Sequence, residues 1–179
     1  LVYQGNFSQR FVDWLTSHAP AGKIDSFRTL ISIGTVHDMH VFFGDWIGAF
    51  LQCGSPVEHM HARFPHGYNM MKDGVEQCMH LKKKLHGVVD AARNWFHTLE
   101  HWLLNEAPYK FHQMGSDQCC FWCQDGKEFI ILFLYVDDMI CMTTSVDMKV
   151  KLFEAIKKRF EFEDKGMLDY FLGIKVIRD

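Results

Sequence analysis

The chain has no excess of positive charge. Its 19 Lys and Arg against 22 Asp and Glu leave a formal net charge of −3, which argues mildly against nucleic acid as a partner. Two basic clusters, Lys82-Lys83-Lys84 and Lys157-Lys158-Arg159, weaken that argument, because whole-chain charge is a poor guide where cations gather. Each cluster also reads as a solvated face beside a buried stripe. No hydrophobic run is long enough to span a bilayer, since the longest is broken by an acid pair, and no membrane is expected. The N-terminus lacks the basic, apolar, small-residue order of a signal peptide, so secretion is not expected. Leu1 stands where an initiator Met would, which predicts a fragment of a longer chain. The six cysteines (Cys53, Cys78, Cys119, Cys120, Cys123, Cys141) are scattered, which reads as a reduced intracellular protein rather than a disulfide scaffold. Internal repeats and low-complexity segments are absent too.

A composition of 48% hydrophobic and 15% aromatic residues over 179 positions suits a full core in one domain or a compact pair of subdomains. The most informative stretch is Tyr135-Val136-Asp137-Asp138, which interrupts an apolar run from Phe129 to Met142. The run reads as two buried strands joined by a tight turn. Adjacent carboxylates repel and lose hydration when partly buried, and a divalent metal is the commonest offset. An exposed hairpin turn, where Asp is frequent, explains the pair equally well.

Elsewhere, Asp25-Ser26 predicts an N-cap for a helix through about Val36, with Phe27, Leu30, Ile31 and Gly34 on one face. Val41-Phe42-Phe43 predicts a short strand ending at Gly44-Asp45, and residues 52–80 carry turn formers that suggest irregular structure or short hairpins. A helix is expected over 88–104, with Val88, Ala92, Trp95, Phe96, Leu99 and Leu103 as its apolar stripe. Another is expected from Val146 to Phe160, capped by Ser145, with Val150, Phe153, Ile156 and Phe160 inward. Tyr170–Val176 reads as a strand pair or an edge strand. With no regular βαβ rhythm, the class is α+β with an antiparallel sheet packed on helices and a hairpin at 129–142.

Several blocks together resemble copia-type LTR retrotransposon reverse transcriptases. Tyr135-Val-Asp-Asp138 resembles their active-site turn. Asp45 with Ala49-Phe50-Leu51 resembles the block bearing the first catalytic aspartate. Leu81-Lys-Lys-Lys-Leu-His-Gly87, with Ala91 and Arg93-Asn-Trp95, is similar to a further block, and Phe162-Glu-Asp164-Lys-Gly166 with Tyr170-Phe-Leu-Gly-Ile-Lys-Val176 is similar to the segment leading into the primer grip. Leu1-Val2, Gly5, Phe7-Ser8-Gln9 and Ser26-Phe-Arg28-Thr-Leu30 also sit where the family carries similar residues. The resemblance covers nearly the whole chain.

It implies a reverse-transcriptase palm with part of the fingers. The fingers-like parts would be about 1–40 and 54–80, the palm about 41–53 and 81–179, with thumb and RNase H beyond the chain. Asp45, Asp137 and Asp138 would be catalytic and would hold two Mg2+ ions, with Mn2+ as a substitute, for two-metal transfer of dNTPs to a primer 3′-hydroxyl. Phe50, Gly87 and Tyr135 would contact substrate, Phe50 as a steric gate against a 2′-hydroxyl. Leu172, Gly173 and Ile174 would form the primer grip. The implied partners are an RNA or DNA template with its primer, dNTPs, and the integrase and RNase H of a polyprotein. The implied compartment is the cytoplasm, in virus-like particles, with the nucleus as an alternative.

The chain departs from the family at His86, Val88-Val89-Asp90 and Ala92, where Tyr, Leu-Lys-Gln and Pro are usual, and Ile47 and Gln4 stand where basic residues are common. Lost cations weaken phosphate binding. These departures keep open a degenerate or domesticated palm-like module that binds nucleic acid or protein without catalysis. A third reading is a zinc module in which Cys120-x-x-Cys123 joins His59-x-His61, against buried, reduced cysteines.

Overall fold

A computed structural model describes residues 17–53, 61–65, 67–68 and 70–177. In chain order its elements are α1 (Ile24–Val36), β1 (His40–Trp46), a 3-10 turn (Ala49–Gln52), β2 (His61–Arg63), β3 (Met71–Lys72), β4 (Val75–Glu76), β5 (Cys78–His80), α2 (Ala91–Asn105), β6 (His112–Met114), β7 (Asp117–Asp125), β8 (Glu128–Tyr135), β9 (Asp138–Thr143), α3 (Val146–Arg159), β10 (Phe162–Met167), β11 (Tyr170–Phe171) and β12 (Ile174–Lys175). It is a mixed α/β chain with an antiparallel sheet and, among the described residues, three α-helices. The chain forms two compact units, one of residues 1–19 and 50–98, the other of residues 20–49 and 99–179. This division keeps α1 with β1 and falls inside α2.

The second unit holds a six-stranded sheet in the order β10-β1-β9-β8-β7-β6. Five successive residues of β8, Ile130 to Leu134, are buried, which requires cover on both faces. One face carries Ile131, Phe133, Ile140 and Met142, packed with Phe27 and Leu30 of α1 and with Phe171. The other carries Phe42, Trp46 and Phe162 and packs against α3, where the Phe162 ring lies 5.3 Å from Trp46 and 5.1 Å from Phe153. Gly44 is forced by this packing, because an added Cβ would fall inside the Phe162 ring.

Four local expectations are corrected. The α1 N-cap is Lys23, with no side-chain cap of its own; the amide of Lys23 donates instead to Asp117 (2.9 Å), 94 residues away, and Ser26 bonds the same carboxyl group. The strand expected to end at Gly44-Asp45 continues through Asp45 to Trp46, because β9 and β10 pair with it on both sides. Val150 is exposed rather than inward, and Met148, Leu152 and Phe153 fill the α3 face with Ile156. In α2, likewise, Ala91 and Trp102 are buried beside Trp95, Phe96, Leu99 and Leu103, while Ala92 is only half-buried. Ser145 does cap α3, accepting from the Met148 amide at 3.4 Å.

The first unit contains a short hairpin, β3 with β4, and an antiparallel pair, β2 with β5, in the stretch whose turn formers suggested short hairpins. A small cluster of Leu81, Val88 and Ala91 has Phe50, Ala62 and Leu85 against it. The expectations placed on Leu1–Gln9 and His59 lie outside the described residues.

Candidate active site

The pairing of β1 with β9 sets Asp45 directly opposite Asp138, and the β8–β9 hairpin sets Tyr135 opposite Asp138 on the other side. Opposed residues of a ladder point to the same face, so the two carboxylates and the tyrosine lie side by side at one end of the sheet. Val136 and Asp137 form the two-residue turn. Val136 has φ +58°, a strained value for a β-branched residue. The turn is tied down on one side, since the Trp46 amide donates to the Asp137 carbonyl at 2.9 Å. Burial pushes the Asp138 carboxyl up to about 6, with the charges of Asp137 and Asp45 adding to it. Asp45 and Asp137 therefore both act on Asp138, although 92 residues separate them from each other in sequence.

The hairpin of β11 and β12 is fixed to the same face. The Phe171 ring lies 4.9 Å from Phe27, 6.0 Å from Phe133 and 5.9 Å, edge-on, from Tyr135. Its tip is Leu172-Gly173, both left-handed (φ +48° and +78°), as a tight two-residue hairpin turn requires. Leu172 is exposed there, and Ile174 pairs with Phe171. Tyr135, Leu172, Gly173 and Ile174 thus belong to the unit that carries the acids.

Phe50 and Gly87 belong to the other unit. The Phe50 ring lies 4.6 Å from His86, and Gly87 takes φ +93°, a conformation that favours glycine whatever its role. Lys84 of the basic run is buried and bonds Asp90 at 2.5 Å, while Lys82 and Lys83 are exposed. Asn94 donates to the same Asp90 oxygen at 3.0 Å, and the other oxygen is buried with no partner among the described residues. The Lys82–Lys84 run is therefore only partly a solvated face.

A family model described as reverse transcriptase (RNA-dependent DNA polymerase) matches residues 1–179. The chain belongs to this reverse transcriptase family. It is 29% identical over its whole length to the retrovirus-related Pol polyprotein from transposon TNT 1-94 of Nicotiana tabacum, covering 13% of that protein. It is 28% identical over 99% of its length to the retrovirus-related Pol polyprotein from transposon RE1 of Arabidopsis thaliana, covering 12% of it. A transposon Ty1-DR5 Gag-Pol polyprotein of Saccharomyces cerevisiae (strain ATCC 204508 / S288c) is 25% identical over 48% of the chain, which covers 5% of it. The chain thus spans 13% or less of the length of these curated relatives. No solved structure matches it. These findings agree with the copia-type LTR retrotransposon resemblance read from the ordered blocks.

For this reverse transcriptase chain, the donor chemistry at the acid row suits a hard divalent cation. Carboxylate oxygens are what Mg2+ takes, and a cation offsets the repulsion that lifts Asp138. As the side chains stand, no group of three or more His, Cys, Asp or Glu is placed to hold one ion among the described residues. The zinc reading fails on geometry. Cys120 and Cys123 are three apart on β7, so a period of two sends their sulfurs to opposite faces. Burial pushes both thiols up to about 12, far from the thiolate that zinc needs.

Sequence reasoning missed Glu163, which pairs with Asp45 from the β10 side, and Lys165, whose amine donates to Glu163 at 2.5 Å. The Glu163 hydrogen bond raises the Lys165 amine, and Asp45 adds to the effect. The family-like block Phe162–Gly166 contains both residues, but nothing in it assigns either a role. Their place depends on strand pairing across more than a hundred positions.

Proposed function

We propose that the chain carries the catalytic carboxylates of an RNA-directed DNA polymerase, which adds deoxynucleotides to a primer 3′-hydroxyl on an RNA or DNA template. The reading rests on one observation above all: Asp45 and Asp138 oppose each other beside Asp137, in a chain that matches the family end to end. The sheet unit is read as the palm, and Asp45, Asp137 and Asp138 as the residues that would hold Mg2+, or Mn2+ in its place. The chemistry supplied by two such bound ions is activation of the primer hydroxyl and neutralisation of the departing pyrophosphate.

The protein's own part is to hold the acids in place. β1 and β9 fix Asp45 against Asp138 by ladder hydrogen bonds, and the strained Val136 turn sets Asp137 beside them. Phe171 clamps Tyr135 to the β11–β12 hairpin, where Leu172, Gly173 and Ile174 are read as guiding the primer end. Phe50 is read as the gate against ribonucleotides, and Gly87 as a position where backbone meets the templating pair. The remaining partners are the integrase and RNase H of the parent polyprotein, in cytoplasmic virus-like particles.

Primer extension by the parent polyprotein tests this. Asp45→Asn, Asp137→Asn and Asp138→Asn should each reduce dNTP incorporation on the order of 10³-fold or more, as expected when one member of a concerted site is lost. In the same assay Phe50→Ala should raise ribonucleotide incorporation. One observation favours a second reading, a palm-like module that binds without catalysis: three carboxylates do not close on one point among the described residues. A parent that binds primer–template but incorporates no nucleotide would select that module, and incorporation that survives Asp137→Asn would remove these acids from the reaction.

A further inference from the structure

The acid row is one residue longer than the family motifs indicate. Reading across β10, β1, β9 and β8, the opposed residues are Glu163, Asp45, Asp138 and Tyr135. They therefore share one face. β10 is the edge of the sheet, so Glu163 closes the row on its open side.

Beside Glu163 the ladder slips. Phe43 pairs with Gly166 but Gly44 pairs with Asp164, leaving Lys165 with no residue opposite it on β1. Such a bulge re-aims side chains at a sheet edge. Here it splits two neighbours between opposite surroundings. Asp164 turns to Lys149, a buried amine that bonds it and lies 4.6 Å from the Phe42 ring and 4.4 Å from the Phe153 ring. The second Asp164 oxygen accepts the Gly166 amide at 3.0 Å, which fixes the bulge. Lys165 instead reaches Glu163 at 2.5 Å, with side-chain exposures of 38% and 53%. Such an exposed ion pair contributes little to stability, so both groups are free to serve a ligand.

We propose that Lys165 contacts phosphate oxygens brought to the acid row, with Glu163 holding its ammonium back from Asp45 until they arrive. The inference rests on the polymerase reading above, which brings a phosphate-bearing substrate to the acid row. The phosphate belongs either to an incoming triphosphate or to the primer–template backbone. A lysine there restores some of the positive charge whose loss at other positions argued against binding.

Two probes tell the sources apart: a fluorescein-labelled RNA–DNA primer–template followed by anisotropy across a KCl series, and Mg·dTTP followed by calorimetry. Lys165→Met should weaken one of them about tenfold, and if that is the primer–template, its salt slope should fall by about one. Lys165→Glu should weaken it further, while Glu163→Gln, which keeps the cation, should leave the salt slope intact. Circular dichroism of each variant should match the parent. Unchanged affinities for both probes in Lys165→Met and Lys165→Glu overturn the proposal, as does a parent chain that binds neither probe. Mn2+ binding, read by electron paramagnetic resonance, separates the two ideas. Mn2+ affinity that falls in Asp138→Asn but not in Lys165→Met upholds the carboxylate site whatever happens to Lys165. A Lys165 effect on phosphate without any Mn2+ binding supports the phosphate contact and sinks the metal site alone.

Discussion

The two compact units hold their site residues by different means. In the sheet unit Asp45 and Asp138 sit on strands with neighbours on both sides, on a face where Phe27, Phe133 and Phe171 interlock. In the other unit the described strands are two or three residues long, and among the described residues Leu81, Val88 and Ala91 form a small buried cluster. Its most buried cation, Lys84, depends on a single carboxyl group. A carboxylate cluster must hold repelling charges close together, which takes a rigid frame. As proposed substrate contacts, Phe50 and Gly87 would need shape more than charge.

The contrast can be broken from either side. The largest stability effect is expected in the sheet unit, at Gly44. Gly44→Ala drives a methyl into the Phe162 ring, which Trp46 and Phe153 box in. A loss of about 3 kcal/mol is expected from such overpacking, read as a lower midpoint in urea. A midpoint unchanged within error would show that the sheet yields there. Next is Lys84→Met, which leaves the Asp90 carboxylate half-satisfied and mostly buried. About 2 kcal/mol should be lost, less than for a fully buried pair because Asp90 keeps some solvent. Lys84→Met combined with Asp90→Leu should recover most of it; no recovery would mean that the pair matters through packing instead.

The smallest effect concerns pH. Asp138 is held at about 6, above its ordinary 3.8, so between those values the folded chain binds the extra proton. Without metal, stability should fall as pH rises through that window and then level off. Asp138 is partly exposed, so the effect is discounted to about 1 kcal/mol, or about 2–4 °C in Tm. Asp138→Asn should abolish the drop in metal-free thermal melts, and a variant that keeps it would place the titration elsewhere. Asp164 behaves in the opposite sense. Burial favours its protonation, but Lys149, the Gly166 amide and Lys157 outweigh burial and hold it below its ordinary value. Its contribution is therefore present above the ordinary carboxylate range and lost as pH falls through the lower folded value.

Much of this was legible in the sequence where the signal is local. The hairpin around Asp137-Asp138 follows from apolar runs flanking an acid pair, and the Ser145 cap from a hydroxyl before an amphipathic stretch. The α1 cap was misplaced because the carboxylate that serves it, Asp117, comes from the start of β7. β1 was read too short for the same kind of reason. Gly44 and Asp45 look like a turn, and only pairing on both sides keeps them extended.

The residues alone determined the family, because blocks in a fixed order and spacing are a property of the linear chain. They also marked Asp45, Asp137 and Asp138 as the acids to watch. Only the tertiary structure decided that Asp45 faces Asp138 and that Glu163 and Lys165 stand next to them. Strand register sets both, and register joins positions that the sequence keeps more than ninety residues apart.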